Sequence, residues 1–373
     1  MNAPSYLPLD GGTALATAVA AFGLPGAPPL PRRHLADEAW HGLLREVGQQ
    51  RIEGLLGAAV MAGALPVSDE QREETRETVR GRAGVDLRLE RELLATTRAL
   101  GHAGVAHRVL KGPAMAHTAY PDPSWRGFGD VDLLVTDGDW YRAIEVLEAT
   151  GARRPVPELR PGFDLRFGKE ATLLSASGWE VDLHRTLVVG PFGLWVDCDE
   201  LFGRREAVTI GGVEVGVLAP GAAFLHACYN AALADDPPRL IAIRDVCELA
   251  VAPNLEPDEV ADLARRWRGE AVVARALSLA ADVLGVTLWD RPVAASFAGR
   301  RTTMFEWALM ATYRGPARGY TAQGAGVVAV AGGRERLAYL RSLASPQDSY
   351  RAARGGSPFT HLRRHVFGAR RTR

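Results

Sequence analysis

The chain has 373 residues, 47% hydrophobic and 24% charged, with 44 basic and 44 acidic side chains and no formal net charge. That composition suits a globular protein with ample core material, and the charge balance excludes a whole-molecule polyanion-binding surface. The three cysteines, Cys198, Cys228 and Cys247, form no CxxC pair, which argues against a zinc ribbon or a disulfide framework and for a reducing compartment.

In chain order, residues 1–30 are rich in Gly, Ala and Pro and read as loosely ordered. They lack a basic region followed by an apolar core, so no signal peptide is expected. No uncharged apolar run reaches membrane-spanning length, so a cytoplasmic protein without membrane contact is expected. Residues 31–103 read as a helical region. Trp40, Leu43, Leu44, Val47, Ile52, Leu55 and Leu56 recur at helical spacing. Ser68 with Gln71 forms a capping-box pattern for a long helix from Asp69, with a break expected near Gly81.

The texture changes over residues 104–219. A short strand at Val105–Leu110 leads into a Lys111-Gly112 turn, and Pro113 suits the first position of a helix. After the loop YPDPSWRGFG comes the strand DVDLLV, with Asp130 and Asp132 on one face because side chains alternate. Strands are expected near Phe163–Phe167, at Ala171–Leu174 and at Trp179–Val188, the last two joined by a hairpin, and a second hairpin at Ala207–Val217. Residues 220–350 return to helical spacing, with GAGVVAVAGG at 324–333 unassigned. Residues 351–373 form a tail with seven arginines and no acid.

Two like charges about 6 Å apart repel by roughly 3 kcal/mol at an effective dielectric near 20. Asp130 and Asp132 therefore need a cation, a base or solvent. GWEVDLHRTL offers a third acid, since Glu180, Asp182 and His184 share one face of its strand. If that strand lies beside 130–135, the three aspartates make a hard-oxygen site for Mg²⁺ (or Mn²⁺) and the phosphates of a nucleotide. Lys111 is one of only two lysines against 42 arginines, so a compact ammonium at that turn is a candidate phosphate contact. In the later helices, His226, Tyr229 and Asn230, and Arg244 and Asp245, either line a pocket or pack helices together.

The turn before a helix, the Asp-x-Asp strand and the later lone Asp resemble the nucleotidyltransferase superfamily. The run LKG…YP…R…DVDLLV, a strand Glu, then VDLH, carried by Leu110, Lys111, Gly112, Tyr120, Pro121, Arg126, Asp130, Asp132, Glu170, Asp182 and His184, is similar to an uncharacterised bacterial nucleotidyltransferase family. The resemblance implies an α+β fold, a mixed nucleotidyltransferase-like sheet flanked by helical regions, and metal-dependent transfer of a nucleoside monophosphate from an NTP to an acceptor hydroxyl of a small molecule, peptide or protein. By the same carry-over Asp130, Asp132 and Asp182 are catalytic metal ligands, with Asp182 assisting deprotonation. Lys111, Gly112 and Arg126 would contact nucleotide, and Glu170 and His184 would support. The broad superfamily has Gly-Ser where this chain has Lys111-Gly112. That departure keeps open a second reading, a catalytically inactive scaffold that binds nucleotide or a partner protein. No nucleic-acid partner is expected.

Overall fold

The computed structural model describes residues 11–315 and 318–354. Helices α1 (Gly11–Ala21), α2 (Asp37–Gln50), α3 (Glu53–Met61) and α4 (Asp69–His102) come first. Then follow β1 (His107–Val109), α5 (Pro113–Ala119), β2 (Val131–Val135), α6 (Trp140–Ala149), α7 (Phe163–Phe167), β3 (Glu170–Leu174) and β4 (Glu180–His184). Short helices α8 (Pro191–Leu194) and α9 (Glu200–Gly203) precede the hairpin β5 (Glu206–Ile210) and β6 (Val213–Val217). The chain continues with α10 (Pro220–Tyr229), α11 (Leu240–Ala250), α12 (Pro257–Arg266), α13 (Glu270–Leu284) and α14 (Pro292–Ala295). It closes with α15 (Met304–Ala311), α16 (Arg318–Val330), α17 (Gly333–Ala344) and α18 (Asp348–Arg354). No helix among the described residues is long and apolar enough to cross a membrane.

The strands form one six-stranded sheet in the order β3-β4-β2-β1-β6-β5. β2 runs parallel to β4 and β1 parallel to β6, while β1–β2, β3–β4 and β5–β6 are antiparallel. The sheet is therefore mixed and the class α+β. Val131, Leu133 and Val135 of β2, with Ala171, Leu173, Val181 and Leu183, bury one face against Leu89, Leu93 and Leu100 of α4 and Trp140, Ile144 and Leu147 of α6. Each such side chain contributes about 1.5–3 kcal/mol of transfer free energy. With that face filled, the alternating residues Asp132, Thr172, Asp182 and His184 must occupy the opposite one.

The helices on either side of the sheet segment in sequence meet in space. α1 packs against α2, α3, α11 and α13, and Trp40, Leu43 and Leu55 share one core with Phe224, Leu225, Val246 and Leu277. This revises the expectation of a loosely ordered start: within residues 1–30, Ala16, Val19, Ala20 and Ala21 of α1 are fully buried. Their small side chains, which read as low complexity, are what allow close helix packing. Arg244 ties α1 down by donating to the carbonyls of Ala20 (2.8 Å) and Phe22 (2.6 Å).

Other expectations resolve in chain order. The Ser68–Gln71 capping box is present, and α4 continues through Gly81 without a break. The strand expected at Phe163–Phe167 is instead helix α7. Its two phenylalanines, four residues apart, sit on one helical face with ring centroids 5.3 Å apart, and both meet Tyr339 of α17. The unassigned 324–333 stretch falls mostly in α16, where small residues permit a close approach: a Cβ on Gly326 would lie 2.8 Å from the Gly190 backbone. Beyond Arg354 the arginine-rich tail lies outside the described residues.

One contact between the N-terminal helices and the loop before β2 is tight enough to test. A Cβ on Gly54 of α3 would sit 1.8 Å from the carbonyl oxygen of Ser124, in the 3-10 turn Pro123–Trp125. Gly54→Ala is expected to cost about 1–3 kcal/mol by overpacking. It would be read as a lower urea midpoint at unchanged slope. An unaltered midpoint would show that helix and loop do not touch.

Candidate functional site

The site forms where β2 and β4 run side by side. Their parallel register pairs Asp132 with Asp182 and Leu134 with His184. Ligand atoms of Asp132, Asp182 and His184 lie within 4.8 Å of one another. Asp132 is 1% exposed, so its charge must be met inside the protein. His184 donates from Nε2 to Asp132 Oδ1 at 2.9 Å. The Lys111 ammonium lies 2.7 Å from Asp132 Oδ2.

Burial alone would raise the pKa of Asp132, but the Lys111 ammonium and the His184 hydrogen bond outweigh it and hold the carboxyl well below the usual range. Burial likewise disfavours charge on Lys111, and the Asp132 and Asp130 carboxylates overcome it, so the ammonium titrates above its ordinary value. Lys111 is placed by the turn at Gly112, whose φ of 61° is a left-handed conformation that side chains other than glycine rarely adopt. Pro113 then starts α5.

Asp130 stands one residue before β2 and outside the Asp132–Asp182–His184 cluster. Its carboxylate lies between two cations, Lys111 at 3.8 Å and Arg51 at 3.9 Å. Glu170 is at the near end of β3, paired with Lys169 at 2.6 Å and 3.5 Å from His184. Burial opposes its charge, but Lys169 and His184 pull its pKa below the ordinary carboxylate value.

Asp182 is the acid without a cation. It accepts from the Thr172 hydroxyl at 2.6 Å. Burial first and the Glu170 carboxylate second push its pKa up to about 6. An Asp raised from about 3.9 in the unfolded chain carries a penalty that appears as pH rises from 4 and is complete above 6. In metal-free protein, Asp182→Asn should therefore stabilise the fold by on the order of 1–2 kcal/mol at pH 7.5 and give no gain below pH 4. Thermal melts at the two pH values check this, and an equal shift at both would refute the charge origin.

Arg126 is 4% exposed, and its hydrogen bonds are committed elsewhere. It donates from Nε (2.9 Å) and Nη2 (2.8 Å) to the two carboxylate oxygens of Asp245 on α11, and Tyr120 donates to the same group at 2.8 Å. Arg126, expected to contact nucleotide, is thus a buried link between the loop before β2 and the helical region. Asp245, which the sequence left as either a pocket or a packing residue, is its anchor. His226 of α10 is also buried, and burial, followed by the nearby His184 and Lys111, lowers its pKa to about 3, so its imidazole is neutral. Arg51 was missed altogether, since a lone arginine after a glutamine pair carries no motif.

On the β3 side the acidic face borders an open cleft of about 460 Å³. Glu170, Thr172, Glu180, Glu158, Tyr320 and Tyr350 are among the residues that line it.

Among solved structures, the chain is similar to an antigenic nucleotidyltransferase-like protein from Paracoccidioides brasiliensis, at 15% identity over 52% of this chain and 91% of that one, with a TM-score of 0.31. No curated protein matches the sequence. The model of one family, described as uncharacterised nucleotidyltransferase, matches residues 36–285, which take in α2 to α13 and the whole sheet. A match over about two-thirds of the 373 residues, on a chain that sets Asp132 beside Asp182, places this protein in the uncharacterised nucleotidyltransferase family.

Proposed function

We propose that the protein is a divalent-metal-dependent nucleotidyltransferase that moves a nucleoside monophosphate from an NTP to an acceptor hydroxyl. The observation that carries this reading is the parallel register that sets Asp132 directly beside Asp182, with His184 completing a donor set within 4.8 Å. Two carboxylates and an imidazole suit a small divalent cation, Mn²⁺ more readily than Mg²⁺ if the imidazole takes part. The donor set fits such an ion, because Asp182 has no cationic partner of its own and is crowded by Glu170. Asp132 and Asp182 would hold it, and it would supply charge neutralisation for the triphosphate.

The chain's own residues do the rest. Lys111, fixed between Asp130 and Asp132, keeps Asp132 ionised and is a compact cation for phosphate oxygens. Asp130 orients Lys111. The acceptor enters through the cleft over β3. As its oxygen bonds to the α-phosphorus, the bond to the β-phosphate oxygen breaks, pyrophosphate leaves, and the hydroxyl proton passes to Asp182.

The test is nucleotide binding by calorimetry with Mg²⁺ or Mn²⁺, coupled to pyrophosphate release in the presence of acceptor extracts. Binding with release supports a transferase. Binding without release, unaffected by Asp182→Ala, supports the inactive scaffold, for which the Lys111–Asp132 pair that already neutralises the site is the favouring observation. Neither binding nor release would end both readings.

A further inference from the structure

We propose that Arg51, at the junction of α2 and α3, binds the β- and γ-phosphates of the nucleoside triphosphate, so that the N-terminal helices complete the nucleotide site. The inference rests on the nucleotidyltransferase reading and adds a residue that the sequence pattern does not mark.

Arg51 ends α2 with φ 58° and ψ 43°, a left-handed conformation usually filled by glycine. A glycine there would have capped the helix without strain, so the arginine is present for its side chain. That side chain lies over Gly129. A Cβ at Gly129 would fall 2.3 to 2.7 Å from three atoms of the Arg51 guanidinium. Gly129 does not have a positive φ, so it supplies space at that position, not an unusual backbone conformation. The seat is occupied by the guanidinium next to Asp130, the residue that leads into β2.

The neighbouring arginines are committed. Arg82 lies 2.7 Å from Asp86 and donates to the Phe128 carbonyl. Arg126 is held by Asp245, and Arg239 pairs with Asp235 at 3.1 Å. Arg51 makes no side-chain hydrogen bond among the described residues, and its one acid, Asp130, is 3.9 Å away and shared with Lys111. Its side chain remains 31% exposed. Burial and the like charges of Arg239, Arg82 and Arg126 disfavour its protonated form. A polyanion would relieve that crowding, and the planar five-donor fork suits phosphate oxygens. Arg51 and Lys111 flank one carboxylate, so a triphosphate chain reaching Lys111 also reaches Arg51.

The test uses the full chain with Mg²⁺ and two probes: the α,β-methylene analogue of whichever of ATP, GTP, CTP or UTP the wild type binds, and inorganic tripolyphosphate. Arg51→Gly should weaken both probes at least tenfold while leaving the melting temperature unchanged or higher, because glycine suits the left-handed position. Gly129→Ala should weaken both by a similar factor, since its Cβ evicts the guanidinium. The double variant should bind no worse than Arg51→Gly alone, because the guanidinium that the new Cβ would displace is already gone. Binding by Arg51→Gly within twofold of wild type overturns the inference and leaves the transferase reading intact, as do additive losses in the double variant. A wild type that binds no nucleoside triphosphate overturns both.

Discussion

Asp132→Asn is expected to lower nucleotide transfer at least about a thousandfold, the scale of losing a preorganised charge at a reacting phosphate, and also to destabilise the fold. The second effect follows from burial. Asp132 meets an ammonium on one oxygen and an imidazole N–H on the other. The asparagine amide can accept from only one of them and points an NH₂ at the other. Removing one partner of a buried pair costs about 3–5 kcal/mol. The retained hydrogen bond places Asp132→Asn near the lower figure.

The pH dependence gives this cost a signature. The native carboxyl of Asp132 titrates far below its unfolded value of about 3.9. Its contribution is therefore present above pH 4 and lost as pH falls toward the depressed native pKa. Wild type and Asp132→Asn should differ by about 3 kcal/mol at pH 7 and converge below pH 4. Asp182→Asn behaves oppositely, gaining stability over the range where Asp132→Asn shows its full loss. Both should be inactive. Two aspartates in register on adjacent strands, one cation-paired and one not, thus separate catalytic need from structural need. Undiminished pyrophosphate release by Asp132→Asn would sink the enzymatic reading.

The pairing of Asp132 with Asp182 was legible because period-2 alternation is a local property, whereas Asp130, expected with them, stands before β2 and outside their cluster. GDVDLLV and WEVDLH each state which face their acids occupy once the apolar partners are known to be buried. The sheet then had only to bring β2 and β4 together in parallel. The strand near Phe163 failed because FDLRF satisfies both a two-residue and a four-residue period, and contact with Tyr339 decides for the helix. Over α1, Gly11–Ala21, the expectation failed because small residues that pack a helix closely look, in sequence, like those of a loosely ordered segment. Arg51, and Asp245 as the partner of Arg126, were out of reach for another reason. Each acts on a residue about 80 to 120 positions away, and neither leaves a periodic trace.

The Arg126–Asp245 pair provides the second large effect and decides what Arg126 is for. Both side chains are nearly inaccessible, at 5% and 2% exposure. Burial disfavours the guanidinium charge, yet Asp245 reverses the balance and holds the arginine firmly protonated. Asp245 also accepts from Tyr120, so three hydrogen bonds from two side chains converge on one buried carboxylate. Arg126→Met strands that carboxylate, and Asp245→Asn strands the guanidinium. Each should cost about 3–5 kcal/mol, whereas an apolar double replacement, Arg126→Met with Asp245→Leu, should recover much of the loss. Tyr120→Phe removes one hydrogen bond to a charged group and should cost about 1.5–3 kcal/mol. Urea midpoints across this set, with Asp245→Leu as the second single variant of the cycle, measure the coupling directly. Nucleotide affinity separates the two roles. If Arg126 links β2's loop to α11, the folded double variant binds triphosphate within a fewfold of wild type while each single variant is unstable. If Arg126 holds phosphate, Asp245→Asn frees it and tightens binding, and the double variant loses affinity at full stability. The bidentate geometry favours the first outcome, because reaching a phosphate would require the arginine to give up both contacts to Asp245 and leave that carboxylate buried with only the Tyr120 hydroxyl.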